Sequence, residues 1–334
     1  MIKKNKTKNV LNMVDALNQA LFQEMSNDEN VVVLGEDVGI DGGVFRVTDG
    51  LIKKFGASRV IDTPLSEAGI VGFSIGMAAA GLKPVAEIQF SGFIYPAFDQ
   101  IISHASRLRN RSRGRYTCPL VVRTPFGGGI RALEHHSESM ENIFVHTPGL
   151  KVVIPSTPTD AKGLLISSIR DPDPVIFYEP KKIYRAIKEE VPKEIYTIPL
   201  GKARITCEGN DVTILTWGSS VKTSNEVADK LKGNVSVEVI DLRTLKPLDI
   251  ETVINSVKKT GRVVIVHEAP KTSGFGAELI AQINERALLD LQAPVVRVTG
   301  FDTVFPLYKL ENYYMPNHDR IINGINKVLN FWNK

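Results

Sequence analysis

The sequence predicts an α/β fold with two open, mostly parallel sheets, and three observations lead to it. The chain has 334 residues, which is more than one ordinary hydrophobic core accommodates, so two domains of roughly 150 residues each are expected. Apolar runs typical of strands buried on both faces alternate with segments of helical periodicity. A charged stretch with two prolines, 181–199, interrupts this alternation and is interpreted as an exposed linker. We therefore predict a first domain over 1–185, a linker over 186–202 and a second domain over 203–334.

The first domain begins with an amphipathic helix, because apolar residues from Val10 to Met25 recur at helical spacing. The strands predicted after it are 31–39, 84–90, 119–126, 151–155 and 174–180. The helices predicted between them are 48–55, the segment after Ser66, 95–111 and 159–169. The second domain repeats the pattern with strands at 211–218, 235–243, 262–269 and 294–300, and helices at 220–231, 250–258, 277–291 and 320–332.

Composition restricts the class of protein. A content of 43% hydrophobic and 23% charged residues is typical of a soluble globular protein. The net charge of +4 is small, and much of it comes from the N-terminal lysines Lys3, Lys4, Lys6 and Lys8, which we interpret as a solvated tail. No basic stripe favours nucleic-acid binding, and no apolar segment favours a membrane span. Two distant cysteines indicate a reducing compartment, so a cytoplasmic protein or a mature mitochondrial matrix protein is expected.

The stretch 62–81 begins with Asp62 and contains one further acid, Glu67, which is followed by fifteen uncharged residues rich in glycine. Ser66 is a plausible N-cap, which places Glu67 in the first turn of a mostly apolar helix. Glu67 is either an acid that faces water and is favoured by the helix dipole, or a functional carboxylate at the edge of a packed interior. This stretch alone does not decide between the two.

Four loops follow predicted strands, where α/β folds place ligands: 35–37, 63–67, 89–95 and 127–139. Acids concentrate there and suggest a partly buried polar network; they are Glu36, Asp37, Glu67, Glu87, Asp99 and Glu134. His135 and His136 lie beside acids after three glycines and favour acid–base chemistry. Zinc-ligand spacing, a serine nucleophile elbow and the common phosphate-binding glycine motifs are absent from the sequence.

Six motifs carry a resemblance to a known family. They are LGEDVGIDGGVFRVT, DTPLSEAGIVGFSIGMAAAG, PVAEIQFSGFIYPAFDQI, HHSESMENIFVHTPGLKVVIPSTP, VIDLRTLKPLD and VHEAPKTSGFGAE, in order from residue 31 to about residue 277. With them the chain resembles the β subunit of the thiamine-diphosphate-dependent dehydrogenase component of 2-oxo acid dehydrogenase complexes. The resemblance implies a transketolase-like fold, with a pyrimidine-binding domain followed by a transketolase C-terminal-like domain. It also implies an α2β2 heterotetramer in which the cofactor lies between subunits.

The resemblance assigns roles to residues of both predicted site loops. Glu67 is implied to hydrogen-bond the aminopyrimidine ring nitrogen of thiamine diphosphate and so to activate the cofactor. His136 is implied to assist acyl transfer to the lipoyl group, and we expect Glu138 either to raise the pKa of His136 or to orient it. The pocket positions implied by the family are Leu65, Gln89 and Phe93, and the positions of an acidic tunnel between active sites are Glu36 and Asp99.

The resemblance further implies ions and partners. The α subunit is implied to hold the diphosphate and Mg²⁺ through a G-D-G motif, which this chain lacks. A structural potassium ion is implied at Cys118, Leu120, Val121, Ser168, Asp171 and Asp173. The second domain is implied to dock the peripheral-subunit-binding domain of the lipoyl acyltransferase.

Three functional alternatives remain open on the sequence. The segment QFSGFIYPAFDQI is closest to branched-chain members, so 3-methyl-2-oxobutanoate and its homologues are the first choice of substrate, pyruvate the second and acetoin the third. A non-catalytic scaffold would not require Glu67 together with His136. A self-contained transketolase-type enzyme is disfavoured by the missing G-D-G motif.

Overall fold

The computed structural model describes residues 8–332. Lys3, Lys4 and Lys6 of the predicted N-terminal tail lie outside the described residues. The next lysine, Lys8, is exposed and pairs with Glu190 at 3.5 Å between Nζ and Oε2. Within 8–332, no helix is long and apolar enough to cross a membrane.

The first part of the chain alternates strands and helices. The strands are β1 (Val10–Leu11), β2 (Val31–Gly35), β3 (Val60–Asp62), β4 (Lys83–Glu87), β5 (Val121–Phe126), β6 (Lys151–Val153), β7 (Val175–Pro180) and β8 (Glu189–Glu190). The helices are α1 (Met13–Asn27), α2 (Leu51–Phe55), α3 (Glu67–Ala79), α4 (Leu108–Arg111), α5 (Glu141–His146) and α6 (Pro158–Arg170).

The second part repeats this alternation. The strands are β9 (Arg204–Cys207), β10 (Val212–Thr216), β11 (Val237–Asp241), β12 (Thr244–Lys246), β13 (Val263–Val266) and β14 (Val296–Val298). The helices are α7 (Ser219–Leu231), α8 (Ile250–Thr260), α9 (Phe275–Ala287), α10 (Glu311–Tyr314) and α11 (His318–Leu329).

Two open sheets confirm the predicted fold class. The first has seven strands in the order β12-β6-β7-β5-β4-β2-β3, all parallel except β12, which runs antiparallel to β6. The second has five strands in the order β14-β13-β10-β11-β9, with β9 antiparallel. Because β12 comes from the second half of the chain and completes the first sheet, the two halves share hydrogen bonds as well as a core.

The first sheet is buried on both faces because neighbouring residues of each strand point to opposite sides. Val33 and Val85 belong to the core that includes α1 and α6, whereas Leu34 and Ala86 belong to the core that includes α3. Apolar residues are therefore favoured on both faces of these strands, which explains the long apolar runs in the sequence.

The first helix starts later than its apolar periodicity predicted. Asn12 caps α1 by accepting the N–H of Asp15 at 3.0 Å, so the helix begins at Met13. Val10 and Leu11 instead form β1, which pairs antiparallel with β8.

The helix predicted over 95–111 is present, but it is not a regular α-helix. Successive 3₁₀, α and π turns follow one another without a break, with 3₁₀ turns at Tyr95–Ala97 and Ala105–Arg107, a π-helical segment at Gln100–His104, and α4 at the end. Pro96 lacks an N–H, and His104 has a φ of −120°, so regular α-helical bonding is not maintained.

Most residues of the predicted exposed linker over 181–199 are exposed, but several contacts anchor the segment to the first domain. Ile183, Tyr184 and Val191 are buried, and the main-chain oxygen of Tyr184 accepts the N–H of Met13 at 3.0 Å. Lys162 of α6, itself buried, donates to the main-chain oxygen atoms of Pro192 and Glu194 at 2.6 and 3.0 Å. Because these contacts use main-chain atoms, the charged side chains of the segment give no indication of them in the sequence.

Candidate active site

The candidate site lies at the carboxyl ends of four neighbouring strands, β5, β4, β2 and β3. The chain leaves β2 to form β3 on one side and then returns to form β4 on the other, which creates a topological switch point. Open α/β sheets bind ligands in the crevice at such a point. The loops carrying Glu36, Glu67, Gln89 and His136 all open into this edge of the sheet.

Glu67 is the first residue of α3, as predicted, and its side chain is almost buried at 9% exposure. Ser66 occupies the N-cap position, but its side chain makes no capping bond. Burial raises the pKa of Glu36, and the charges of Glu67 and Asp37 raise it further, so these acids lie close together. The expectation that Glu67 faces water is therefore disfavoured.

Gln89 joins the loop after β4 to the loop after β2. Its amide Nε2 donates to Asp37 Oδ2 at 3.0 Å. Asp37 has a left-handed φ of 57°, and its main-chain oxygen accepts the N–H of Gly43 at 2.7 Å, which fixes a tight turn. This contact places Gln89 beside the acidic cluster.

An aromatic cluster surrounds His136. The ring centroids of Phe90 and Phe93 lie 4.4 and 5.0 Å from that of the imidazole, both at steep angles. The Nδ1 atom of His136 is buried and has no hydrogen-bond partner among the described residues. Buried polar atoms are nearly always hydrogen-bonded, so the free Nδ1 atom is available to a ligand or substrate in the crevice. The structure therefore brings the rings of Phe93 and His136 into contact.

Among the described residues, Glu138 makes its side-chain hydrogen bond to Tyr95 and none to His136. Its carboxylate Oε2 accepts the hydroxyl of Tyr95 at 2.6 Å, and its main-chain oxygen accepts Ser91 Oγ at 2.8 Å. Burial and the bond to Glu138 raise the pKa of Tyr95. The contacts that fix the ring of His136 come from the two phenylalanines, whereas Glu138 secures the loop to the segment after β4.

Two predicted positions lie at the margin of this cluster. Leu65 is 78% exposed at the mouth of the crevice, where a bound partner or ligand would cover it. The side chain of Asp99 is 68% exposed and lies near His104, at 3.9 Å between Oδ2 and Nε2. Within 8–332, no hydrogen bond or ion pair joins Asp99 to Glu36. The acidic tunnel stays a prediction.

The chain is similar to known proteins over nearly its whole length. Residues 9–187 match the family described as "Transketolase, pyrimidine binding domain", and residues 201–321 match "Transketolase, C-terminal domain". Curated relatives named "Pyruvate dehydrogenase E1 component subunit beta" include that of Acholeplasma laidlawii, 54% identical over 96% of this chain and 98% of the relative. Those of Bacillus subtilis (strain 168) and Staphylococcus aureus (strain MW2) are 52% and 51% identical, each over 96% of this chain and 99% of the relative.

The chain belongs to the E1 β subunits of 2-oxo acid dehydrogenases. A solved structure titled "Split gene transketolase, inactive beta4 tetramer" has a TM-score of 0.79 with 21% identity, and covers 96% of this chain and 98% of its own. At that identity, the likeness shows the fold alone.

Membership of this E1 β family implies thiamine diphosphate, and the residues of the crevice fit its aminopyrimidine end. Glu67 supplies a buried carboxyl, and Phe90 and Phe93 supply an apolar wall. Thr63 Oγ1 and His136 Nδ1 are buried without partners among the described residues, so donors and acceptors remain for a ligand.

The residues matched to a potassium site in some E1 β subunits already have partners. Both carboxylate oxygens of Asp171 accept Lys151 Nζ at 2.6 Å, and Asp173 Oδ1 accepts Arg109 Nε at 2.6 Å. The main-chain oxygen of Leu120 accepts the N–H of Val175 at 2.9 Å, and Cys118 is a free, buried thiol. Val121 and Ser168 are buried nearby, Val121 in β5 and Ser168 in α6.

Each of the two carboxylates thus already pairs with a cationic side chain, Asp171 with Lys151 and Asp173 with Arg109. Within 8–332, no group of three or more His, Cys, Asp or Glu side chains is placed to hold a metal ion. The potassium ion stays a prediction of the family resemblance.

The sequence did not point to the buried ion pairs beneath the crevice. Arg123 of β5 donates through Nε and Nη2 to both carboxylate oxygens of Glu179, at 2.7 and 2.8 Å, and through Nη1 to Glu87. The sequence shows Glu87 as one of the acids near the site, but it does not show that Arg123 is its partner. A charged residue inside each of three otherwise apolar strands was the signal available, since such charges are buried only in pairs.

Proposed function

We propose that this chain is the β subunit of a pyruvate dehydrogenase E1 component. The observation that carries the proposal is the convergence of buried Glu67, Gln89 and the His136 loop on one crevice. The choice of pyruvate is supported by the names of relatives that match over almost the full length of the chain. The preference for branched-chain 2-oxo acids rests on a single segment after β4 and is the weaker alternative.

An α subunit is the partner that the proposal requires. The relatives carry the designation subunit beta, and apolar side chains are exposed around the crevice: Ile40, Leu65 and Phe73. The proposed α subunit covers them and supplies the diphosphate and Mg²⁺ site, because the G-D-G motif is missing from this chain. The relatives are bacterial, which supports a cytoplasmic location.

When bound, thiamine diphosphate supplies the electron sink on which a 2-oxo acid loses CO₂. Glu67 would share a proton with the aminopyrimidine nitrogen, and its burial would strengthen this hydrogen bond because the local dielectric is low. Gln89 and Asp37 hold the two adjacent loops together. Phe90 and Phe93 exclude water from the reacting centre.

The second half of the reaction transfers the acyl group to the lipoyl disulfide of an acyltransferase. The disulfide is reduced as one sulfur takes the acyl group and the other leaves as a thiolate. His136 in its protonated form donates a proton to that thiolate. The 2-oxo acid is oxidised overall, and CO₂ is released.

The test is the substrate preference of the reconstituted α2β2 enzyme. Decarboxylation of pyruvate and of 3-methyl-2-oxobutanoate is followed with an artificial electron acceptor, and so is the cleavage of acetoin, which has no carboxyl group to lose. We expect kcat/KM for pyruvate to exceed that for the branched acid by about 10–200-fold, the range that one or two methyl groups provide. A preference for the branched acid would restore the sequence-based choice, and no turnover in a correctly assembled heterotetramer would favour a scaffold.

A further inference from the structure

The loop that carries His136 rests on the second domain. It leaves β5 through Gly127, Gly128 and Gly129, of which Gly127 and Gly129 have left-handed φ values of 76° and 96°. A Cβ at Gly128 would overlap the ring of Phe305. A Cβ at Gly127 would likewise overlap Glu268, so these two glycines allow the main chain to approach the second domain more closely than other residues would permit.

Two carboxylates of the second domain accept hydrogen bonds from this loop. The N–H of Gly128 donates to Glu268 Oε2, and the N–H of Arg131 donates to Glu311 Oε2, each at 3.1 Å. Glu268 and Glu311 are 6% and 3% exposed. Charge-assisted bonds to main-chain N–H groups are strong in such surroundings.

The loop is held in a conformation that it would not adopt freely. Arg131 has a φ of 58°, in the left-handed region that a residue with a side chain rarely enters. Such a conformation persists only where surrounding contacts impose it. The bond to Glu311 is made by Arg131 itself, so this carboxylate acts at the strained point, five residues before His136.

Glu268 is fixed from several sides. Ser219 Oγ donates to its other oxygen, Oε1, so both carboxylate oxygens are engaged. Burial raises the pKa of Glu268, whereas the bonds from Ser219 and Gly128 and the charges of Lys182 and Lys181 oppose that rise. The Nζ of Lys181 lies 5.7 Å from the ring centroid of Phe90, which contacts His136. Lys181 and Phe90 thus form a second connection between Glu268 and His136, besides the loop itself.

We propose that Glu268 and Glu311 are positioning residues for His136, which they fix through the main chain of the loop 127–139. The inference rests on the proposed role of His136 in acyl transfer. The carboxylates touch neither substrate nor cofactor, and they act by holding the imidazole where the lipoyl thiolate forms. The second domain, in this account, sets the geometry of an active-site group carried by the first.

The experiment compares two partial reactions in the reconstituted α2β2 enzyme. Glu268→Gln and Glu311→Gln are each assayed for dye-linked decarboxylation and for acylation of a free lipoyl domain. We expect acylation to fall about 10–100-fold, because displacement by about 1 Å costs that much, while decarboxylation changes less than about twofold. The matched control is Asp249→Asn, a buried carboxylate of the second domain whose hydrogen bonds come from Ala203, at 3.1 Å, and Thr252, and not from the loop 127–139. It should leave the ratio of the two activities unchanged.

A double-substitution cycle identifies the route of the effect. In a His136→Ala background, Glu268→Gln should lower acylation by less than about twofold more, because the group it positions is gone. Equal losses in both partial reactions, or a full further loss in that background, would overturn the inference. If His136→Ala itself leaves acylation unchanged, the proposed role of His136 fails instead.

Hydrogen exchange of the peptide covering 127–139 tests the anchoring independently of activity. Exchange in the assembled enzyme should be faster in both glutamine variants than in the wild type and in Asp249→Asn. Unchanged protection in both glutamine variants would overturn the inference, whatever the kinetics.

Discussion

Replacing Arg123 by Met should destabilise the first domain more than the loss of any exposed ion pair. The guanidinium is 1% exposed and binds both oxygens of Glu179 as well as Glu87. Burial raises the pKa of Glu87 even with Arg123 beside it, which shows how poorly this site solvates a carboxylate. Without Arg123, two buried carboxylates would lose their counter-charge.

The expected loss is about 3–5 kcal/mol, the cost of breaking a buried pair by removing one partner. At roughly 2 °C per kcal/mol for a chain of this size, the melting temperature should fall by about 6–10 °C. The matched control is Arg109→Met, because its partner Asp173 is partly exposed; this change should cost at most ~1 kcal/mol. Calorimetry of the two variants beside the wild type gives the comparison.

A rescue variant separates electrostatics from packing. Adding Glu87→Gln and Glu179→Gln to Arg123→Met removes both orphaned charges, so at least half of the lost stability should return. The hydroxyl of Tyr184 can still donate to residue 179, as it does to Glu179 at 2.5 Å. A fall of less than about 2 °C for Arg123→Met, or no rescue, would refute the reasoning.

Two further predictions concern the domain interface and the His136 loop. Burial raises the pKa of Glu141 from 4.5 to about 7, so its proton stabilises the fold below pH 4.5 and this contribution is lost as the pH rises to about 7. Glu141→Gln keeps an acceptor for Trp217 and should flatten the fall in melting temperature over that window; an unchanged pH profile would contradict the assignment. A Cβ at Gly92 would overlap the main-chain oxygen of His135, so Gly92→Ala should displace the loop and lower lipoyl acylation at least tenfold, with normal acylation as the contrary result.

The fold was predictable from the sequence because it is built from local signals. Both faces of the first sheet are covered, so its strands read as apolar runs, and Asp249 and Asn317 cap helices through side chains that a sequence shows. The loops of the candidate site were predictable for a related reason, since parallel strands place their carboxyl ends at one edge. The domain limits stay a prediction, and the crossing of β12 into the first sheet had no signal in the sequence.

What could not be predicted depends on contacts between distant residues. Gly128 and Glu268 are 140 positions apart, and Arg131 and Glu311 are 180 apart, so no local pattern connects them. The partner of Arg123 depends on β5 lying between β4 and β7, which is a property of strand order. The three glycines are visible in the sequence, but the close approach of Gly127 and Gly128 to the second domain is not.

Glu67 is proposed to activate a cofactor shared with an α subunit, and the activity of the Glu67→Gln variant tests this role. Glu67→Gln keeps the size of the side chain and removes its ability to share an acidic proton. In the reconstituted α2β2 enzyme, we expect dye-linked decarboxylation to fall by at least about 100-fold, while sedimentation shows an intact heterotetramer. Turnover within about twofold of the wild type would contradict the account.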